Sequence, residues 1–450
     1  MKDLGRMDDA EASYYSALRI DPEFAAPLRN LLFTLNYHPD KSAEEVFAVY
    51  RRFEAQFGQP HRAAWRAHDN DRNPGPAPEG GLRLARSHAT SSRHFLGPCC
   101  QHDHSVVEVY AYAELAREDA VTERYKGYVD HWVPTRGLSD EALAQRIRDD
   151  RIDILVDVAG HTAGNRLQVF ARKPAPVSLH WLDFGYTTGL SAIDYYLTDW
   201  PTVPAGSEAL FSETPWRLDG PGLVYRAAEG MGEVNALPAE QNGYLTFGSL
   251  TRAVRINHHT VRVWAELLKR LPNARLVIDS GDYRTTSMQD ELAERFAQHG
   301  IGRERLSIGY HSPPWDVLRQ IDIGLDCFPH NSGTTLFESL YLGVPFVTLA
   351  GRPSVGTLGS AILHGVGHPE WIAHTEAQYV QIATTLAADL LKLANLRAGL
   401  RAEMQASALM DEAGFTRRVE AAYRGMFERW AAGRDSGFAL GSLKAYRLPR

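Results

Sequence analysis

From residue 106 onward, short β-branched and apolar runs alternate with segments of helical period, and this alternation restricts the fold more than any other feature of the chain. The runs fall at 106–112, 152–158, 177–182, 193–198, 244–249, 275–279, 321–326 and 346–349, with helix-period stretches such as 139–149, 258–271 and 287–299 between them. Continuous apolar runs separated by amphipathic helices are what parallel strands covered on both faces require, so the expected class is α/β with parallel sheets. With 450 residues, the chain is long enough for two or three domains. It is 44% hydrophobic and 23% charged, which excludes a disordered tail.

The first 67 residues read differently. Ala10, Tyr14, Ala17 and Leu18 lie on one helical stripe that ends at Asp21-Pro22. A second apolar helix follows with Phe24, Leu28, Leu31, Leu32 and Leu35, and a third covers about 42–57. Leu4-Gly5-Arg6, Ala10, Tyr14, Ala17-Leu18 and the Asp-Pro turn resemble a tetratricopeptide repeat, of which about one and a half units are present; a generic helical hairpin is the alternative. So short an array cannot bury both faces, and it must pack on its neighbour or continue a longer array. The expected organisation is a helical segment (1–67), a Pro- and Gly-rich linker (68–81), two Rossmann-like lobes (82–220 and 221–385), helices (386–436) and a tail (437–450).

Lysine and arginine number 48 against 55 acidic residues, a formal net charge of −7 with no basic block, which argues against a nucleic-acid partner. Cys99, Cys100 and Cys327 cannot build a disulfide framework, no apolar stretch reaches membrane-spanning length, and Met1 to Arg6 lack a signal-peptide pattern. A cytoplasmic location away from membranes is expected. The run Cys99-Cys100-Gln101-His102-Asp103-His104 gathers soft ligands but lacks the spacing for tetrahedral zinc, so no metal site is expected there. Gly356 to Ser360 is a weak glycine signal, and His258-His259 opens a helix.

The segment with the clearest chemistry joins strand 321–326 through Cys327-Phe328-Pro329-His330-Asn331-Ser332-Gly333 to a helix beginning at Thr334-Thr335. A glycine-bearing loop between a parallel strand and a helix presents free backbone N–H groups and the positive end of a helix dipole, an arrangement suited to a diphosphate. Glu338, one turn along, suits vicinal ribose hydroxyls; it equally suits a capping box that satisfies backbone donors.

Several ordered motifs extend this reading. They are Asp153-Ile154-Leu155-Val156-Asp157 with Gly160-His161-Thr162-Ala163-Gly164-Asn165-Arg166, Arg172-Lys173-Pro174-Ala175-Pro176-Val177, Thr187-Thr188-Gly189-Leu190 with Asp194-Tyr195, Thr246-Phe247-Gly248-Ser249, and Pro329-His330-Asn331 with Gly333-Thr334-Thr335 and Glu338. Together they resemble the catalytic region of the O-linked N-acetylglucosamine transferases and SPINDLY proteins, glycosyltransferase family 41, which joins a repeat array to a two-lobed GT-B fold. The resemblance implies a UDP-N-acetylglucosamine donor, a protein serine or threonine acceptor and no cofactor or metal. It also implies that the repeat-like segment can hold a partner protein.

It further implies that Gly333, Thr334 and Thr335 meet the diphosphate, that Glu338 meets the ribose, and that His330 lies beside the phosphates; a solvated turn histidine is the alternative for His330. The family's lysine, six residues after the serine of the Gly-Ser strand end, is replaced here by Arg255. This keeps the charge that a leaving diphosphate needs but changes its shape. Arg252 is a second candidate from the same loop, with a surface charge as its alternative. His88, in Arg86-Ser87-His88-Ala89-Thr90, corresponds to a histidine that acts as a base or organises the donor. The strand before it is shortened, with Leu82-Arg83-Leu84-Ala85 running straight into Arg86. His161 is the other catalytic candidate, and Thr188 belongs to a loop lining the sugar side. That loop departs from the family as Trp181-Leu182-Asp183-Phe184-Gly185, which opens the sugar identity to glucose or fucose. A weakened relative that senses or scaffolds nucleotide sugars is the competing expectation.

Overall fold

The structure is a computed structural model that describes residues 5–72, 79–84 (backbone only), 94–95, 101–105, 107–182 and 185–433. Its frame is two all-parallel sheets. The first has the order β3-β2-β1-β4-β5-β6-β7, from β1 (Glu79–Leu84), β2 (Glu108–Ala113), β3 (His131–Pro134), β4 (Ile154–Asp157), β5 (Val177–His180), β6 (Tyr195–Thr198) and β7 (Thr214–Arg217). The second has the order β10-β9-β8-β11-β12-β13, from β8 (Thr246–Leu250), β9 (Arg275–Asp279), β10 (Leu306–Gly309), β11 (Ile323–Leu325), β12 (Phe346–Leu349) and β13 (Ile372–Ala373). Chain direction across the sheet reverses at β1/β4 and again at β8/β11. These are the switch points where loops at the carboxyl edge splay apart and leave a crevice.

All eight runs read from the sequence contain strands. β4, β5 and β6 are buried at every position, as strands covered on both faces must be. β3, β7, β10 and β13 add short strands that the apolar pattern did not mark. β1 also differs from expectation: it takes in 79–81, the end of the stretch read as linker. Its six residues pair in register with β2, from Glu79 opposite Glu108 to Leu84 opposite Ala113, so Leu82 to Leu84 of the run read as shortened are the end of a six-residue strand. Gly80 and Gly81 conceal it, because glycine has little intrinsic preference for strands.

The first three helices are α1 (Met7–Ile20), α2 (Ala25–Leu35) and α3 (Ala43–Phe53). A capping box fixes the start of α3, in which Ser42 and Glu45 each satisfy the other's backbone N–H at 3.1 and 2.7 Å. Leu28, Leu31, Leu32 and Leu35 of α2 and Val46, Tyr50 and Phe53 of α3 share one core with Leu143, Ile147, Phe170, Tyr186 and Leu190 of the first lobe. The helical segment therefore buries its apolar face on its neighbour. Gly189, at φ +77°, is held where a Cβ would come 2.7 Å from the Tyr50 carbonyl oxygen, so the close fit of α3 on this loop requires glycine.

The turn after α2 also reaches the second lobe. The buried guanidinium of Arg352, beyond β12, donates to the carbonyls of Asn36 and His38 at 3.0 Å and Lys41 at 3.2 Å, with Leu35 at 3.4 Å. The two C-terminal helices divide between the lobes. Helix Leu390–Ala406 buries Leu393 and Leu400 against the second lobe. Helix Glu412–Ala431 crosses back and places Phe415, Val419, Met426 and Trp430 against Val109, Ile154, Leu179 and Trp181. Each such apolar side chain contributes about 1.5–3 kcal/mol by burial, so the crossing helix is part of the first lobe's core.

Candidate functional site

The loop after β11 is organised by one carboxylate. Asp326 is fully buried; one of its oxygens accepts the backbone N–H of Cys327 at 2.9 Å and of Ser332 at 2.8 Å, and the other accepts the Thr348 hydroxyl at 2.7 Å. Burial pushes its pKa up to about 7 against the lowering effect of these donors. Asn331 closes the loop, donating to the Cys327 carbonyl at 3.0 Å while its own carbonyl oxygen accepts from the Gly359 N–H at 3.1 Å. The Ser332 hydroxyl lies 3.1 Å from the Thr251 hydroxyl, which ties this loop to the one after β8.

The helix Thr334–Tyr341 starts from Gly333 with no side-chain cap. Glu338 is not folded back on the helix start, which removes the capping-box alternative. Its Oε1 instead accepts a 3.4 Å hydrogen bond from the Trp315 indole. Burial pushes the carboxyl up to about 7, with only that indole opposing it. A largely buried carboxyl with one long hydrogen bond, one turn from an uncapped helix start, has acceptor capacity to spare.

Arg255 sits in a single 3-10 turn, Ala253–Arg255, at the carboxyl edge of β8. No carboxylate pairs with it among the described residues, and its guanidinium lies 5.6 Å from the centre of the Tyr37 ring. His330 is buried; its Nδ1 lies 2.9 Å from the Asn331 carbonyl, which makes that nitrogen the protonated donor. The Arg255 Nε at 3.4 Å from the same nitrogen is then a neighbour and not a hydrogen-bond donor to it. Tyr37, from the turn after α2, stacks on the His330 ring. The structure thus brings Arg255, His330, Gly333, Thr334, Thr335 and Glu338 to one sheet edge. Arg252, on the same loop, is exposed.

The first lobe contributes the opposite wall. A narrow cleft of about 50 Å³ is lined by Trp181, Tyr196 and Thr198 from one sheet edge and His330, Ser354 and Leu358 from the other. The Tyr196 hydroxyl meets Ser354 Oγ at 3.0 Å across it.

His161 and Thr188 are placed differently from the phosphate-side group. The His161 ring is buried edge-on to Tyr50 and Phe53, its Nε2 lies 2.7 Å from the Thr188 carbonyl oxygen, and burial lowers its pKa to about 4. Its Nδ1 has no hydrogen-bond partner among the described residues. The Thr188 hydroxyl and N–H both go to the buried carboxylate of Glu213, which also takes the Thr187 hydroxyl at 2.5 Å. In this geometry His161 is a neutral ring under α3, and Thr188 is occupied by a protein partner. His88 lies outside the described residues. In the run checked for metal, His102 turns to Glu420 at 3.0 Å and His104 to Asp130 at 2.9 Å, so the two imidazoles diverge. Sequence reasoning missed Tyr37, Asp326, Trp315 and Glu213; only the loop position of Asp326 marked it.

Two parallel α/β lobes whose carboxyl edges face one cleft, with an uncapped helix start and an arginine on one side, define a GT-B glycosyltransferase fold. The model of glycosyl transferase family 41 matches residues 86–216 and 234–419, and the chain belongs to that family. It is 32% identical over 427 residues to a probable UDP-N-acetylglucosamine–peptide N-acetylglucosaminyltransferase SPINDLY of Solanum lycopersicum, covering 92% of this chain and 46% of the relative. It is 33% identical to the counterpart of Oryza sativa subsp. japonica, covering 94% and 46%. The chain thus spans just under half the length of these curated relatives. The solved structure of an O-GlcNAc transferase from Thermobaculum terrenum, a lysine-to-methionine variant, superposes with a TM-score of 0.90 at 30% identity, covering 96% of this chain and 83% of that one. No helix among the described residues is long and apolar enough to cross a membrane.

Proposed function

We propose that this chain transfers a sugar from a uridine-diphosphate donor, with UDP-N-acetylglucosamine the first candidate, to serine or threonine hydroxyls of proteins. The observation that carries the reading is Arg255, without a carboxylate partner among the described residues, at the same sheet edge as the uncapped start of Thr334–Tyr341, with Glu338 one turn further on. The names of the relatives, which refer to peptide N-acetylglucosaminyl transfer, support the choice of sugar and acceptor.

In this reading the diphosphate lies against the N–H groups and hydroxyls of Thr334 and Thr335, and Glu338 accepts from the ribose hydroxyls. As the bond from the anomeric carbon to the phosphate oxygen breaks, negative charge grows on the diphosphate, and the bond from acceptor oxygen to anomeric carbon forms. Arg255 and the helix start face that growing charge already oriented, which favours the transition state over the bound donor. His330 holds the loop beside the phosphates, and Arg252 adds positive potential at the rim. His161 and Thr188 act indirectly: His161 fixes the 187–189 loop that borders the sugar side. His88 is the candidate to accept the hydroxyl proton or to organise the donor. The fixed charges of the chain are the elements of this scheme, a cytoplasmic setting is consistent with it, and the repeat-like segment (1–67) would guide the acceptor protein.

The test is to incubate the purified chain with labelled UDP-N-acetylglucosamine, UDP-glucose and GDP-fucose, each with lysate proteins. Label on protein from a UDP-sugar is the expected result. Transfer only from the GDP donor would overturn the nucleotide assignment. UDP binding with neither transfer nor donor hydrolysis would overturn the enzyme.

A further inference from the structure

Three side chains from two distant parts of the chain converge beside, but outside, the proposed donor site. Asp40 lies in the turn between α2 and α3. His258 and His259 are the first two residues of the helix His258–Arg270, whose N-cap is Asn257. Nε2 of His259 is 3.0 Å and Nε2 of His258 is 3.3 Å from the same oxygen of Asp40. The three atoms all lie within 4.8 Å of one another.

The His259–Asp40 contact is an ordinary hydrogen bond, and the same convergence puts three donor atoms within reach of one ion. Ligands held about 2.0–2.1 Å from a tetrahedral ion are separated by about 3.3–3.4 Å along each edge of the tetrahedron. Without an ion, two imidazoles must share one carboxylate oxygen. Two imidazoles and a carboxylate, with no thiolate, form the donor set of zinc and of similar borderline divalent ions, and three protein ligands leave one position for water. Nδ1 of His259 lies 3.8 Å from the Glu376 carboxylate, beyond hydrogen-bond reach. Arg262, a cation near the cluster among the described residues, lies 3.4 Å from that nitrogen and is itself bound to both oxygens of Glu376 at 2.6 Å.

We propose that Asp40, His258 and His259 form a zinc-class divalent cation site that ties the α2–α3 turn to the helix His258–Arg270. Asp40 follows Tyr37 by one short turn and His258 follows Arg255 likewise, so the ion braces the two segments that bring Tyr37 to Arg255. It takes no part in bond making. A second cluster, Asp8, Glu11 and His38, lacks this character, because the Lys41 ammonium already sits 3.1 Å from Glu11.

The experiment uses untagged protein stripped with a chelator and titrated with Zn2+ by calorimetry, with Co2+ absorption reporting the coordination geometry. One equivalent is expected to bind and to raise the thermal midpoint, with a tetrahedral Co2+ spectrum. Asp40→Ala and His258→Ala should each weaken binding by at least about tenfold, and His104→Ala, at a histidine paired with Asp130 in the first lobe, should leave it unchanged. Absence of stoichiometric binding, binding that survives the Asp40→Ala/His258→Ala double variant, or binding lost with His104→Ala would each overturn the site. None of these readouts depends on transferase activity.

Discussion

Tyr37 and His330 stack with ring centroids 4.3 Å apart and planes 5° apart, and the two residues lie far apart in the sequence. Tyr37 is brought there by the helical segment, whose core is shared with the first lobe, whereas His330 belongs to the phosphate-side loop of the second. The helical segment therefore holds the proposed donor site in register with both lobes. Tyr37→Phe keeps the stacked ring and should bind UDP as the wild type does. Tyr37→Leu keeps apolar volume without the ring and should weaken UDP binding about two- to tenfold, the value of an aromatic pair of about 0.5–1.5 kcal/mol. Calorimetry on both variants, with thermal midpoints to confirm folding, separates a stacking role from simple packing.

Glu338 gives donor binding a signature in pH. Its carboxyl, raised by burial to about 7, becomes the stronger acceptor for ribose hydroxyls as it ionises, so UDP affinity should rise between pH 6 and 8. The stability of the unliganded protein should move the opposite way. Between the ordinary carboxyl range and 7, the folded chain holds a proton that the unfolded chain has lost, so this group's contribution falls as pH rises through that window. Glu338→Gln should flatten both trends relative to wild type and weaken UDP binding by about tenfold, one hydrogen bond to a charged group being about 1.5 kcal/mol. UDP titrates in the same range, so the difference between variant and wild type is the quantity to read.

Arg352 bonds the second lobe to the helical segment through backbone carbonyls alone, and its burial lowers its pKa to about 10. Arg352→Ala leaves the carbonyls of Asn36 and His38 without their donor, at a cost of about 1–3 kcal/mol. A lower thermal midpoint and faster amide exchange confined first to 36–42 are the expected outcomes, measurable by hydrogen-exchange mass spectrometry.

What the sequence discloses follows from burial. Parallel strands covered on both faces must be continuously apolar, so 154–157, 177–180 and 346–349 stand out; β3 and β7, which are partly exposed, do not. The phosphate-side loop is legible because its chemistry is local, with glycine, threonines and glutamate following one strand. In the sequence Glu338 balances between cap and ligand, and the uncapped Gly333 with the carboxyl against Trp315 removes only the cap. Thr188 was marked only by resemblance, and its partner Glu213 carries no local pattern at all. Tyr37 was one more aromatic residue after a helix; that it reaches His330 depends on a long-range docking that no periodicity encodes. His88 lies outside the described residues, and its role rests on resemblance.

Arg255 is the charge proposed to meet the donor diphosphate, and paired titrations with UDP and uridine test this most directly. Wild type is expected to bind UDP in a one-to-one complex and more tightly than uridine. Arg255→Ala should weaken UDP by about tenfold or more, the loss of a charge-assisted hydrogen bond of about 1.5–3 kcal/mol, while uridine affinity stays unchanged. UDP affinity that is the same in wild type and Arg255→Ala, or no UDP binding at all, would contradict it.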